Sequence, residues 1–422
     1  MGLTMGKDSH MNGARRVVVT GMGVVTPIGN DVPTFWSALK EGKSGIGPLQ
    51  DIDFPEQYVR DLYIQIACQV KNFDPKTRLK NRLLLLADRY SLLAAYAAHE
   101  AFEQSKLEAP LKNPYRSACI IGSGAGGMNT IEWAYNQLFT KNRRAGDPLL
   151  LLKFIGSSAA AHVGIDYGIK GPTFGTVSAC ATATHAIGLM QRFIRDGVAD
   201  VGVAGASESA INYGSMKAWQ SMRVLSPDGC YPFAKKRNGT VLGEGAGMLV
   251  MEELEHARAR GAKILAEVKG FGMASDAKDM INPDLDGPKE AMRQALEDAG
   301  VAPSEIDYLN AHGTATALND VNETMAIKQV FGDAAKKLAI SSTKSMHGHL
   351  LGASGGVEAV ACIKAIEEGF VPPTTGLSEP DPRCDLDYVP NVGRNQRVTH
   401  AMSNSFAFGG LNAVLVFGPP PA

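Results

Sequence analysis

A chain of 422 residues, 45% hydrophobic and 20% charged, can bury a large core and divide into two or three domain-sized units. Its 42 lysines and arginines nearly cancel its 43 aspartates and glutamates, so no global field draws it to nucleic acid or to a membrane surface. Six cysteines (Cys68, Cys119, Cys180, Cys230, Cys362 and Cys384) form no CxxC pair, which argues against a disulfide framework or zinc knuckle and for a reducing, cytoplasmic setting.

No apolar run reaches the roughly 18 to 20 residues that a membrane span needs. Residues 1–14 read as a flexible leader without a hydrophobic segment, and 419–422 as a loose tail. From Arg15 onward, Gly-terminated apolar strands alternate with Ala-rich helical stretches, the pattern of helices packed on mostly parallel sheets. The β-branched run Arg15 to Val25 predicts a strand, Pro33 to Lys40 a helix, and Ser117 to Ile121 a strand. Phe174 to Ser178 predicts a short strand entering a small-residue turn and helix, followed by paired strands at Asp200 to Gly205 and Gly247 to Met251.

The order then repeats: strand Ile264 to Phe271, helix Pro288 to Ala299, strands Ile306 to Asn310 and Leu338 to Ser342, and paired strands His400 to Ser405 and Asn412 to Phe417. An internal duplication is expected, its boundary near 252 to 262, with one half at 15–256 and the other at 257–418. The extra length of the first half, about 50 to 115 and 128 to 165, is expected to form a cap of helices and loops over the site.

Cys180 follows a predicted strand and precedes apolar residues at 183, 187, 190 and 194, one face of a helix. A thiol at such a turn points off the backbone, where the helix start favours the thiolate and aims N–H groups at a developing oxyanion. Position alone leaves nucleophile and small core filler equally open. His312, in Asn310-Ala311-His312-Gly313-Thr314, and His349, in Lys344-Ser345-Met346-His347-Gly348-His349, both lie past strand ends, where side chains reach the crevice outside a sheet. Two such histidines shift the balance toward catalysis. His347 has no third ligand at sensible spacing, so no metal site is expected.

These stretches, with Asn404-Ser405-Phe406-Ala407-Phe408-Gly409-Gly410 near the end, resemble the β-ketoacyl-acyl carrier protein synthases of the type I and II group, closest to synthase II, over residues 15 to 417. The resemblance implies a thiolase-like α/β fold, internally duplicated, with two mixed five-stranded sheets in αβαβα layers. It implies Claisen condensation of an acyl group held on Cys180 with decarboxylating malonyl-acyl carrier protein, in fatty acid elongation. It makes His312 and His349 the paired histidines, Lys344 the lysine that orders the second histidine's loop, and Glu358 its carboxylate partner. Phe408 becomes the gate and, with Cys180, the oxyanion hole. Thr314 and Thr316 become the pantetheine contacts, and Arg223, Arg82 and Lys80 the dock for an acidic carrier protein. No cofactor is implied, since the substrates carry 4′-phosphopantetheine. Relatives are homodimers, and the same is expected here.

Two positions that line the acyl tunnel in relatives read Ala125 and Leu150; smaller side chains there imply long acyl chains, while Trp219 would refill the space. Leu83 to Leu86 stand where relatives show more basic character, and Ala317, Ala407, Leu411 and Ile281 replace Pro, Gly, Thr and Thr. Three other readings remain: a polyketide ketosynthase, a specialised-lipid ketosynthase, and an acyl-binding relative that never extends. A dinucleotide site at Gly122 to Gly127, which fits GxGxxG, is not expected, because no strand ends in an acid about 20 residues later.

Overall fold

The computed structural model describes residues 15–141 and 146–421. The expected leader, 1–14, lies outside the described residues, as does the last residue of the tail. Ten strands build the core: β1 (Val17–Val25), β2 (Ser117–Gly122), β3 (Thr173–Phe174), β4 (Val201–Glu208), β5 (Gly245–Glu253), β6 (Ala266–Ser275), β7 (Tyr308–Asn310), β8 (Ala339–Ser341), β9 (Ala401–Ala407) and β10 (Leu411–Gly418). β1, with the sequence VVVTGMGVV, is buried at every position, as suits a strand covered by helices on both faces.

The first five strands run in the order β1-β5-β4-β2-β3 and the last five in the order β6-β10-β9-β7-β8. In each set the first two pairings are antiparallel and the last two parallel. The predicted repetition is therefore present strand for strand. The two five-stranded sheets also touch: β1 meets β6 antiparallel through Val18 with Glu267 and Val19 with Ala266, which links them into one ladder of ten.

Helices Thr182–Arg195 and Ser354–Glu368 fill the space between the two sheets and contact strands of both. Helix Arg89–Ser105 covers the outer face of the first sheet, and helices Asp286–Ala299 and Asn319–Phe331 that of the second. These are the five αβαβα layers.

One correspondence drawn from sequence is corrected. The counterpart of the helix at 288–299 is Arg89–Ser105, not the stretch at 33–40. Arg89–Ser105 buries Tyr90, Leu93, Ala94, Ala97, Ala101 and Phe102 along one face and is long enough to span the sheet. It lies directly on β1, because a Cβ at Gly21 or Gly23 would come within 1.9 Å of the carbonyl oxygens of Ala101 or Ala97. Part of the expected cap is thus core, while Val32–Lys40, only nine residues, packs on Ser354–Glu368.

Candidate active site

The parallel strands β3, β7 and β8 end on one side, and the chain leaving each carries one part of the site. After β3, Cys180 sits in a single tight turn, Ala179–Ala181, that opens helix Thr182–Arg195. Ala179 holds a positive φ of 47°, a conformation costly for a residue with a side chain, which turns the Cys180 thiol away from the strand path. After β7 comes His312. The N–H groups of His312 and Gly313 donate to the buried Glu323 at 2.8 and 2.7 Å, which fixes the loop. After β8, the short helix Lys344–His347 leads to His349, whose N–H donates to Val241 at 2.7 Å.

The three side chains converge. His349 Nε2 lies 3.1 Å from Cys180 Sγ, and the rings of His312 and His349 stand edge to face with centroids 5.6 Å apart. All three are buried. The Leu351 N–H donates to His349 Nδ1 at 3.2 Å, with the Ser354 hydroxyl 3.0 Å from the same nitrogen, so Nδ1 is an acceptor and the ring proton belongs on Nε2, facing the sulfur. Lys344 pairs with Glu358, both fully enclosed.

Burial sets the charge states. Burial holds both imidazoles well below the usual histidine range, and the positive charge of Lys344 adds to it, so each ring is neutral at physiological pH. Burial also pushes the Cys180 thiol up to about 12, against the pull of Lys344 and of the backbone N–H groups of Phe408 and of Cys180 itself, which lie against the sulfur. The expectation that the helix start favours the thiolate is corrected on this point: in the unliganded enzyme, loss of water around the sulfur prevails.

A cavity of about 290 Å³ opens from Cys180, His312 and His349 to the surface. Thr314, Thr316, Phe408, Trp219 and Arg223 all line it, as do Ala407, Ala317 and Ile281. The Thr314 and Thr316 hydroxyls lie 3.0 Å apart, and the Trp219 and Phe408 rings 5.8 Å apart. Ala125 and Leu150 do not line this cavity: the Ala125 N–H is turned to Glu208, and Leu150 opens the separate short helix Leu150–Phe154. Lys80 and Arg82 do not line it either. They belong to the segment of helix Asn81–Leu86, near His162, where Leu83 is buried and Leu85 is exposed.

Among the described residues, Cys180, His312 and His349 are also a group whose donor atoms lie within 4.8 Å of one another, close enough to meet on one small atom. The set unites the three residues that the motifs single out, the thiol from one half of the chain and the imidazoles from the other. His347 is occupied elsewhere, with Nδ1 at 2.8 Å from the Gly348 carbonyl and Nε2 at 3.0 Å from the Thr343 hydroxyl. The GxGxxG turn is held by Glu208, a residue that carried no sequence signal.

Comparison with known proteins decides the family. A model of the β-ketoacyl synthase N-terminal domain matches residues 14–257, and one of the C-terminal domain matches residues 265–378. The chain belongs to the β-ketoacyl synthases. It is similar to nodulation protein E of a Rhizobium species, 46% identical over 403 residues that cover 96% of this chain and 99% of that protein. It is also similar to 3-oxoacyl-acyl-carrier-protein synthase 2 of Staphylococcus aureus, 44% identical over 414 residues with the same two shares. A solved structure, the ishigamide ketosynthase/chain length factor, superposes with a TM-score of 0.90 at 35% identity and covers 97% of this chain and 100% of that one. The resemblance read from the Cys180, His312 and His349 motifs is borne out, and with it the thiolase-like fold. This ketoacyl synthase is an acyltransferase that forms a carbon–carbon bond by condensation. Among the described residues no helix is long and apolar enough to cross a membrane.

Proposed function

We propose that Cys180 carries the acyl group, that His312 and His349 bind the enolate, and that the second substrate is malonyl-acyl carrier protein. The observation that carries this reading is the meeting of one buried thiol with two neutral imidazoles, at 3.1 Å from His349 Nε2 to the sulfur.

Cys180 first attacks the thioester carbonyl of the acyl carrier protein; the carbon–sulfur bond to the carrier breaks, and the carrier thiol leaves with the Cys180 proton. The oxygen that turns anionic sits against the N–H groups of Cys180 and Phe408. Malonyl thioester then enters and loses CO2. The electron pair of the broken carbon–carbon bond moves into an enolate, whose oxygen accepts from the two imidazoles without meeting a carboxylate. The enolate carbon attacks the Cys180 thioester, the sulfur leaves as thiolate, and a proton from solvent restores the thiol. Atoms and electrons balance without an oxidant, a reductant or a metal, so the phosphopantetheine arm is the one carrier group the reaction requires. Thr314 and Thr316 suit that arm, because both hydroxyls line the cavity between surface and sulfur.

A carrier-protein partner is supported by the name of the Staphylococcus aureus relative, and Arg223 at the cavity mouth suits its acidic surface. Ala125 and Leu150 remain proposed walls of a deeper acyl tunnel for long chains. A homodimer is supported by the free edge of β3 (Thr173–Phe174), beside which Val177 and Ile165 are each 67% exposed, with Leu151 and Leu152 nearby in the chain sense and also exposed. A cytoplasmic setting agrees with six free, buried cysteines. The relatives include a nodulation protein E as well as a 3-oxoacyl-acyl-carrier-protein synthase 2, which keeps a specialised pathway beside bulk fatty acid elongation as a second reading.

The deciding experiment weighs the intact protein after incubation with carrier proteins of graded acyl length, then adds malonyl-carrier protein. Acyl mass on Cys180, absent from Cys180→Ser and converted to ketoacyl product, is the expected result. Loading without extension would replace this reading by an acyl-binding one.

A further inference from the structure

Glu208, the last residue of β4, is fully buried and takes no part in the chemistry above. Its carboxylate accepts four hydrogen bonds. Three come from the turn after β2: the Ser123 hydroxyl at 2.9 Å, and the N–H groups of Gly124 at 2.8 Å and Ala125 at 3.1 Å. The fourth comes from the other half of the chain, the Gly352 N–H at 3.0 Å, three residues past His349. The fit leaves no room for side chains: a Cβ on Gly352 would lie 2.6 Å from Gly124 N and 2.9 Å from Glu208 Oε2.

Two consecutive N–H groups therefore do separate jobs. That of Leu351 donates to His349 Nδ1, and that of Gly352 donates to Glu208. Leu351 holds a positive φ of 47°, a conformation a leucine keeps only where its surroundings impose it. Releasing Gly352 lets this turn relax, which withdraws the Leu351 N–H and leaves Nδ1 with the Ser354 hydroxyl at 3.0 Å, a group that can donate or accept and so allows the ring proton on either nitrogen.

We infer that Glu208 is a positioning residue that, by anchoring Gly352, keeps the His349 proton on Nε2 and aimed at the reacting atoms. The inference rests on the proposed role of His349 as a donor to the enolate. Among the described residues, the charged and titratable groups that act on Cys180 are His349, His312, Lys344 and Glu208 itself; burial raises the Glu208 carboxyl, its four donors pull it back down, and as the anion it acts on the sulfur against Lys344. A mere structural staple would alter neither the histidine proton nor the reactivity of the thiol.

The test compares the whole enzyme with Glu208→Gln, which removes the charge, and Glu208→Asp, which keeps the charge but shortens the reach to Gly352. Nitrogen NMR on histidine-labelled protein, with the His349 signal identified by its loss in His349→Gln, reads the tautomer without substrate. The expected result is a single Nε2–H form in the native enzyme and a mixture in both variants. Malonyl decarboxylation is expected to slow by up to about a hundredfold with KM retained. Iodoacetamide is expected to alkylate Cys180 about threefold faster at fixed pH in Glu208→Gln, a shift of roughly half a pH unit, and at the native rate in Glu208→Asp. A native enzyme with its proton on Nδ1 overturns the inference even if no variant folds. So does a folded Glu208→Gln with the native signal and native alkylation rate. Neither outcome touches the condensation itself, which is read from product.

Discussion

Lys344 and Glu358 are joined in an ion pair from which solvent is wholly excluded, and the lysine charge acts on both imidazoles and on the nucleophile. Removing one partner of such a pair strands a charge. Lys344→Ala or Glu358→Leu should lower unfolding stability by about 3 to 5 kcal/mol, whereas replacing both with apolar residues of similar size should recover most of the loss. Denaturant unfolding of the two singles and the double measures the coupling; a double that costs the sum of the singles would show that the pair does not act as a unit.

Burial places the Cys180 thiol well above a free cysteine, at about 12. Only the thiolate is alkylated, so below that value its fraction grows with each step in pH. The rate with iodoacetamide should rise about tenfold per pH unit through the neutral range, with no plateau. A plateau below about pH 8, near the ordinary cysteine value, would mean that the N–H groups around the sulfur outweigh its desolvation after all.

For the imidazoles the sign is opposite. Burial and the charge of Lys344 depress both, so protonation, which would remove a neutral donor, begins only far below the usual histidine range. Decarboxylation of malonyl-carrier protein should therefore stay flat from about pH 7.5 down to about pH 6, where an ordinary histidine would titrate. His312→Ala and His349→Ala should each slow that step by about 10²- to 10³-fold while Cys180 still accepts acyl groups. Equal loss of loading and decarboxylation would argue against the division of labour proposed here.

The thiol and two imidazoles that suit an enolate oxygen also suit a soft metal ion, given donors within 4.8 Å of one another. Micromolar-range zinc or cadmium should inhibit condensation, a chelator should reverse the inhibition, and chelator alone should leave the rate unchanged. A fall in rate on chelation alone would mean that a metal belongs to the working site.

The sequence made the strands and the chemistry legible for different reasons. Each half could be read because β-branched runs such as Val17–Val25 are buried at every position and so stand out as continuous apolar stretches. Cys180, His312, Lys344 and His349 could be read because each sits in a short motif after a strand end. Glu208 and Glu323 could not, because both bind backbone N–H groups, across 144 residues for Gly352 and 11 for His312, and backbone leaves no residue signature. Arg89–Ser105 was misplaced because its buried face is largely alanine, a weak periodic signal. The raised thiol was missed because local position predicts a helix start, whereas desolvation depends on everything folded around it.

Trp219 provides the remaining prediction. Its half-buried ring lines the cavity beside Phe408, on the path that an acyl chain on Cys180 would take. If Ala125 and Leu150 lengthen a deeper tunnel, Trp219 is what restricts entry to it, and Trp219→Ala should raise extension of long acyl primers relative to medium ones. Trp219→Leu should fall between the two, since it removes part of the ring volume while keeping an apolar wall. Competition between primers of two lengths in one reaction measures the ratio and cancels any general loss of activity. A ratio unmoved by either substitution would place the length limit elsewhere.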